Sequence, residues 1–235
     1  MRGIYLVGGY PDRKAFQARL DDVVDAGFEF IEVGLPFSDP MADGPTITAA
    51  MTHVLDAAVK TENIIADLRK RRAYAVPLYV MTYANVVYRY GLERLTEDLK
   101  GLVSGIILAD VPNRMHPFIR REGLGLPLIP FVTPESRESD VTGLSTSDTP
   151  FIYFIGIRGI TGTSSRLENP EIVERINWIR QVTGKPVIMG FGIRTKDQAR
   201  NALSVADGYV IGTAALELQH DEEAYRKFLR SISCI

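Results

Sequence analysis

Short apolar runs recur along the chain, nearly continuous in hydrophobicity, and each is followed by a longer segment whose apolar residues fall at helical spacing. The runs are Ile4 to Val7, the strand opened by Phe30, Leu78 to Met81, Ile106 to Ala109, Leu128 to Phe131, Phe151 to Phe154, Pro186 to Met189 and Gly208 to Ile211. Helices are predicted after a cap at Asp12, where Phe16, Leu20, Val23 and Val24 form one face and Gly27 ends it, and over Thr46 to Val59 and Glu62 to Arg72. Further helices are predicted over Leu92 to Leu102, Arg114 to Arg121, Glu135 to Gly143, Pro170 to Val182 and Lys196 to Leu203, and after Gly212 and Asp221. The segment with Tyr83 and Asn85 reads as a polar loop. Continuous apolar strands separated by helices suit a parallel sheet covered on one face by helices. Eight such units in this length predict a single-domain (β/α)8 barrel, a TIM barrel, over residues 1–235, with an open doubly wound sheet as the competing architecture.

Composition narrows the chemistry. The 235 residues are 46% hydrophobic and 24% charged, with a formal net charge of −2 and a pI near 6.0. That balance gives no electrostatic footprint for nucleic acid or an anionic membrane. Cys234 is the lone cysteine and His53, His116 and His220 are scattered, so no internal disulfide forms and no metal site is expected. No apolar run approaches the roughly 20 residues that span a bilayer, and the start lacks a signal-peptide core. The expected compartment is the cytoplasm.

The stretch from Phe30 to Ile47 concentrates the candidate chemistry. Glu32 lies among apolar strand residues, where an ionised carboxylate is costly unless paired or used. Asp39 and Asp43 follow on a loop stiffened by Pro36, Pro40 and Pro45, with Gly34 and Gly44 read as turn-permitting residues. Taken alone, Glu32 reads more readily as a salt-bridged strand end, and the two aspartates as ordinary turn acids. In a barrel the loops after the strands open on one face, which brings this loop together with Gly159-Ile160-Thr161-Gly162, Gly190-Phe191-Gly192 and Gly212-Thr213. Glycines let backbone amides approach an anion, and a helix beginning near Gly212 adds partial positive charge, so the last loops are candidates for a phosphate site.

The stretch as a whole resembles the signature of the tryptophan synthase alpha subunit family. The strand-end Glu32-Val33-Gly34 is followed by Pro36-Phe37-Ser38-Asp39-Pro40 and Ala42-Asp43-Gly44-Pro45, with Ile31 where the family has Leu. The likeness continues through Tyr83-Ala84-Asn85, Asp110 with Pro112, Tyr153, Thr161-Gly162, Gly190-Phe191-Gly192 and Gly212 with Thr213. It implies retro-aldol cleavage of indole-3-glycerol phosphate to indole and glyceraldehyde 3-phosphate, without a cofactor. Glu32 and Asp43 then inherit the catalytic roles, and Tyr5, Tyr83 and Tyr153 line the substrate. Gly162, Gly192, Gly212 and Thr213 hold its phosphate.

The resemblance also implies a pyridoxal-phosphate-dependent beta subunit as partner, in an alpha-beta-beta-alpha assembly. The loop from Pro36 to Pro40 and the segment around Tyr83 to Val87 are candidates for that interface, with inward packing over the substrate as the alternative. Two other readings stay open at this point: a barrel that mainly regulates a synthase partner, and a stand-alone indole-releasing lyase. Departures from the family pattern are the absence of its usual helix before the first strand, where only Met1 to Gly3 precede, and Gly156-Ile157-Arg158 in place of Ser-Arg after strand six. The first leaves the floor of the barrel to be covered by other means.

Overall fold

The computed structural model describes residues 1–70, 76–155, 169–190 and 192–233. In chain order the elements are β1 (Arg2–Val7), α1 (Arg13–Asp25), β2 (Phe30–Gly34), α2 (Pro45–Asp56), α3 (Thr61–Lys70), β3 (Leu78–Thr82), α4 (Ala84–Tyr90) and α5 (Leu92–Leu99). They continue as β4 (Gly105–Leu108), α6 (His116–Arg121), β5 (Phe131–Val132), α7 (Glu138–Thr142), β6 (Ile152–Phe154), α8 (Pro170–Thr183), β7 (Val187–Met189), α9 (Lys196–Val205), β8 (Gly208–Ile211), α10 (Thr213–Leu216) and α11 (Glu222–Ser233).

The eight strands run parallel in the order β4-β3-β2-β1-β8-β7-β6-β5. The two end strands meet: Ile106 N–H donates to the Pro127 carbonyl (2.8 Å), Ile129 N–H donates to the Ile106 carbonyl (3.0 Å), and Ile106 pairs with Leu128 in an isolated parallel bridge. The sheet therefore curls into a barrel, not a doubly wound layer. This seam also displaces the fifth strand from its expected Leu128 to Phe131. Pro127 and Pro130 have no N–H to give a ladder, so regular pairing with β6 is confined to Phe131 and Val132.

Strand residues alternate between two cores. Ile4, Leu6, Ile31, Val33, Leu78 and Val80 point outward against the helices, whereas Tyr5, Val7, Phe30, Tyr79, Met81, Phe151 and Tyr153 point into the barrel. Phe16, Leu20 and Val23 of α1 are buried on the helix face the spacing predicts, each such side chain contributing roughly 1.5–3 kcal/mol of transfer free energy. Asp12 caps that helix, accepting from the Lys14 and Ala15 amides. The floor of the barrel is filled from within: Phe30, Tyr79 and Phe151 sit 5.1–5.9 Å apart, ring centre to ring centre, and none is more than 2% exposed.

One expected loop is a helix. Ala84 to Tyr90 form α4, whose first turn is held from a distance by Asp110, the Ala84 amide donating to its Oδ1 at 2.8 Å. The predicted helix from Glu135 to Gly143 is shorter, with a 3-10 turn over Gly143–Thr146 after α7.

Candidate active site

Glu32 sits inside β2 with its side chain in the barrel and no measurable exposure. Its strand neighbours in register are Tyr5 on β1 and Tyr79 on β3. Oε2 accepts a long hydrogen bond from the Tyr153 hydroxyl (3.4 Å), which also lies 3.5 Å from the Gly190 carbonyl. Oε1 has no partner among the described residues. Burial outweighs the Tyr153 hydrogen bond, and the Glu32 pKa is pushed up to about 8. No cation pairs with Glu32 among the described residues. At neutral pH the site holds a protonated carboxyl with one oxygen uncommitted.

Two glycines make room for the tyrosines beside it. A Cβ on Gly190 would lie 1.5 Å from the Tyr153 ring, and a Cβ on Gly34 would lie 2.0 Å from the Tyr5 hydroxyl oxygen. Gly34 is thus a strand residue that admits a ring, not a turn residue. Gly44 has a φ of −79° and open space around it, so its backbone makes no demand for glycine.

Asp43 is half-buried on the loop between β2 and α2. Its Oδ2 accepts from the Tyr83 hydroxyl at 2.6 Å, and the same hydroxyl accepts from the Ala42 amide at 3.2 Å. Burial raises the Asp43 pKa and the Tyr83 hydrogen bond pulls it back. Phe37 stacks on Tyr83, with ring centres 5.1 Å apart. The β2 loop and the start of α4 therefore lock each other through one phenol. Asp39 is exposed and makes no such bond among the described residues.

Across the barrel mouth, Gly212 precedes α10 and Thr213 is its first residue. A Cβ on Gly212 would meet only ordinary contacts, 3.6 Å from the Tyr5 ring and 3.8 Å from Ile47. The Tyr5 and Ile47 side chains thus flank Gly212 at van der Waals distance. Gly192 is exposed with a φ of +81°, a conformation disfavoured for any other residue. Because α10 has four residues, a helix dipole adds little here, and anion binding would rest on the amides of the turn. Gly162, Thr161 and Phe191 lie outside the described residues, as do Gly156 to Arg158.

The chain as a whole resembles known proteins. A sequence profile of the family described as tryptophan synthase alpha chain matches residues 4–232. The chain belongs to the tryptophan synthase alpha chain family. It is 36% identical over 220 residues to the tryptophan synthase alpha chain of Novosphingobium aromaticivorans, covering 91% of this chain and 82% of that one. A Bacillus cereus tryptophan synthase alpha chain is 32% identical over 225 residues, covering 93% and 86%. Among solved structures, Campylobacter jejuni tryptophan synthase subunit alpha superposes with a TM-score of 0.88 at 26% identity, over 98% of this chain and 94% of that one. A Mycobacterium tuberculosis tryptophan synthase chain gives 0.86 at 30% identity, over 99% and 90%. The family's reaction is cleavage of indole-3-glycerol phosphate, so this member is a carbon–carbon lyase of tryptophan biosynthesis.

For a tryptophan synthase alpha chain the expected residues gather well: Glu32, Asp43, Tyr5, Tyr83 and Tyr153 frame one site. The charges of Asp43 and Glu32 both act on the Tyr5 and Tyr153 phenols. Sequence reasoning misses three members. Phe37 enters it only as part of a motif, though it stacks on Tyr83. Asp110 anchors α4, and Tyr79 walls Glu32 from the β3 side. The inward parity of Tyr79, two residues before Met81 on the same strand, is the available signal for the last. Within the two stretches expected at an interface, Pro36, Pro40, Tyr83 and Val87 are buried and Ser38, Asp39 and Asn85 are exposed, while exposed apolar side chains include Met41 (77%) and Tyr88 (47%), with Met115 and Phe118 (39% each) after β4. No helix among the described residues is long and apolar enough to cross a membrane.

Proposed function

We propose that Glu32 carries both proton transfers of the lyase reaction and that Asp43 stabilises the cation formed between them. The observation behind this is a fully buried carboxyl whose Oε1 is unpartnered among the described residues, with burial raising its pKa to about 8. Protonated Glu32 donates to C3 of the indole ring, and positive charge develops on the ring nitrogen. Asp43, held by Tyr83, faces the N1–H and offsets that charge. Glu32, now a carboxylate, removes the proton of the glycerol hydroxyl next to the ring. The C–C bond breaks, its electron pair neutralises the ring, and Glu32 is left protonated for the next turnover.

Tyr153, donating to Glu32, steadies the carboxylate form during the interval when it is charged. The phosphate is held at Gly192, Gly212 and Thr213, with Gly162 completing the loop set. Their support is the positive φ of Gly192, the place of Gly212 and Thr213 at the start of α10, and the family pattern. No cofactor enters this scheme.

The partner is a pyridoxal-phosphate-dependent beta subunit, in an alpha-beta-beta-alpha assembly in the cytoplasm. Met41, Tyr88, Met115 and Phe118, on segments following three adjacent strands, supply exposed apolar area of the kind interfaces use. Indole formation by the purified chain, titrated with a cognate beta subunit while complex size is followed, tests this reading. It predicts a complex and a rise in lyase rate. Full activity of the chain alone with no complex at micromolar concentration would favour a stand-alone lyase.

A further inference from the structure

Two buried polar atoms in the site have no partner among the described residues: Glu32 Oε1 and the Tyr5 hydroxyl. They belong to residues paired in register on β2 and β1, and both side chains enter the barrel. An unsatisfied buried hydroxyl destabilises the folded chain, so two together mark a place kept for a ligand that can donate to one and accept from the other. A hydroxyl group does both.

Tyr5 also spans the site in a telling direction. Its ring lies beside Gly212, where the phosphate is proposed to sit, and its hydroxyl lies over Gly34, one inward position beyond Glu32 on β2. A three-carbon chain running from a phosphate at Gly212 towards an indole near Asp43 would follow the Tyr5 ring. It would bring its ring-proximal hydroxyl to the space between Glu32 and the phenol.

We infer that the Tyr5 hydroxyl is a third catalytic group, donating a hydrogen bond to the oxygen of that glycerol hydroxyl as it becomes the aldehyde of the product. This role rests on the lyase reading with Glu32 as proton carrier. When Glu32 takes the O–H proton, the oxygen gains negative character before the C–C bond has fully broken. A fixed donor on that oxygen is worth more in the transition state than in the bound substrate. The oxygen leaves as a carbonyl, the bonding pair of the broken C–C bond returns to the protonated indole, and Tyr5 keeps its proton throughout. Burial first, and then the nearby Asp43 carboxylate, hold the Tyr5 phenol well above its ordinary pKa, so it remains a neutral donor.

The test is Tyr5→Phe in the full chain, assayed with saturating beta subunit. It keeps the ring and removes only the donor. The expected result is a kcat lower by about tenfold or more with KM little changed, as for loss of a donor to a developing oxyanion. Affinity for an analogue with a plain propyl phosphate chain, lacking both glycerol hydroxyls, should be equal in the two proteins. The melting temperature should not fall, because the deleted hydroxyl has no partner among the described residues. Unchanged kcat, a change confined to KM, weaker analogue binding or a lowered melting temperature would each overturn the role. If the wild-type complex forms no indole at all, the lyase reading falls and this inference with it. Turnover in the wild type alongside an equally fast Tyr5→Phe overturns the Tyr5 role alone.

Discussion

The Tyr83 hydroxyl donates to Asp43 Oδ2 at 2.6 Å while accepting from the Ala42 amide, so a residue at the end of β3 fixes the carboxylate on the loop after β2. That bond favours the charged form of Asp43 against the burial that disfavours it. Tyr83→Phe should therefore raise the Asp43 pKa further and shift the acid limb of kcat/KM to higher pH. An unmoved acid limb would mean that the charge on Asp43 is not what the limb reports.

Asp43→Asn keeps the hydrogen bond but cannot oppose a developing cation with a full charge. Loss of kcat by roughly 10²-fold is expected, in the range of a single electrostatic contact made in the transition state. Asp39→Asn, at an exposed side chain without such a bond, should cost far less. Steady-state kinetics of the pair decides this, and equal losses would reverse the assignment.

Burial of Glu32 has a consequence for stability. Its pKa is raised from 4.5 to about 8 in the folded chain, so between those values the folded state holds a proton that the unfolded state releases. Stability must then fall as pH rises through that window. Glu32→Gln removes the titration, and its stability relative to wild type should increase from pH 5 to pH 8, by an amount on the order of a few kcal/mol. Denaturant melts at the two pH values measure it. A difference that stays constant would show that Glu32 ionises freely in place.

Gly190 lies against the Tyr153 ring with no room for a Cβ. Gly190→Ala should lower stability by about 1–3 kcal/mol through overpacking and push the Tyr153 hydroxyl away from Glu32, reducing turnover as well. Thermal melts and indole assays on the same preparation would show both effects together, and a stable, fully active variant would contradict the packing.

Much of this is legible in the chain. The strand runs, the Asp12 cap and the Phe16, Leu20 and Val23 face follow from local pattern. The clustering of Glu32 and Asp43 with Tyr5, Tyr83 and Tyr153 follows from the family likeness and the barrel's single functional face. What is not legible depends on contacts between distant segments. The α4 helix is held by Asp110, which no local window sees, and the fifth strand is cut short by Pro127 and Pro130 only because it closes the seam with β4. The roles of Gly34 and Gly190 require knowing which ring lies opposite. Exposure around α4 differs from expectation for the same reason: Tyr83 and Val87 face inward, whereas Tyr88 is exposed.

The central claim is that one buried carboxyl performs both proton transfers, and Glu32→Gln tests it most directly. The amide preserves size and hydrogen bonding but cannot exchange a proton, so with saturating beta subunit kcat for indole release should fall by at least ~10²-fold while substrate still binds. In the wild type, kcat/KM should stay level up to about pH 8 and decline above it, as the proton that starts the cycle is lost. Near-normal kcat in the Glu32→Gln protein would contradict the account.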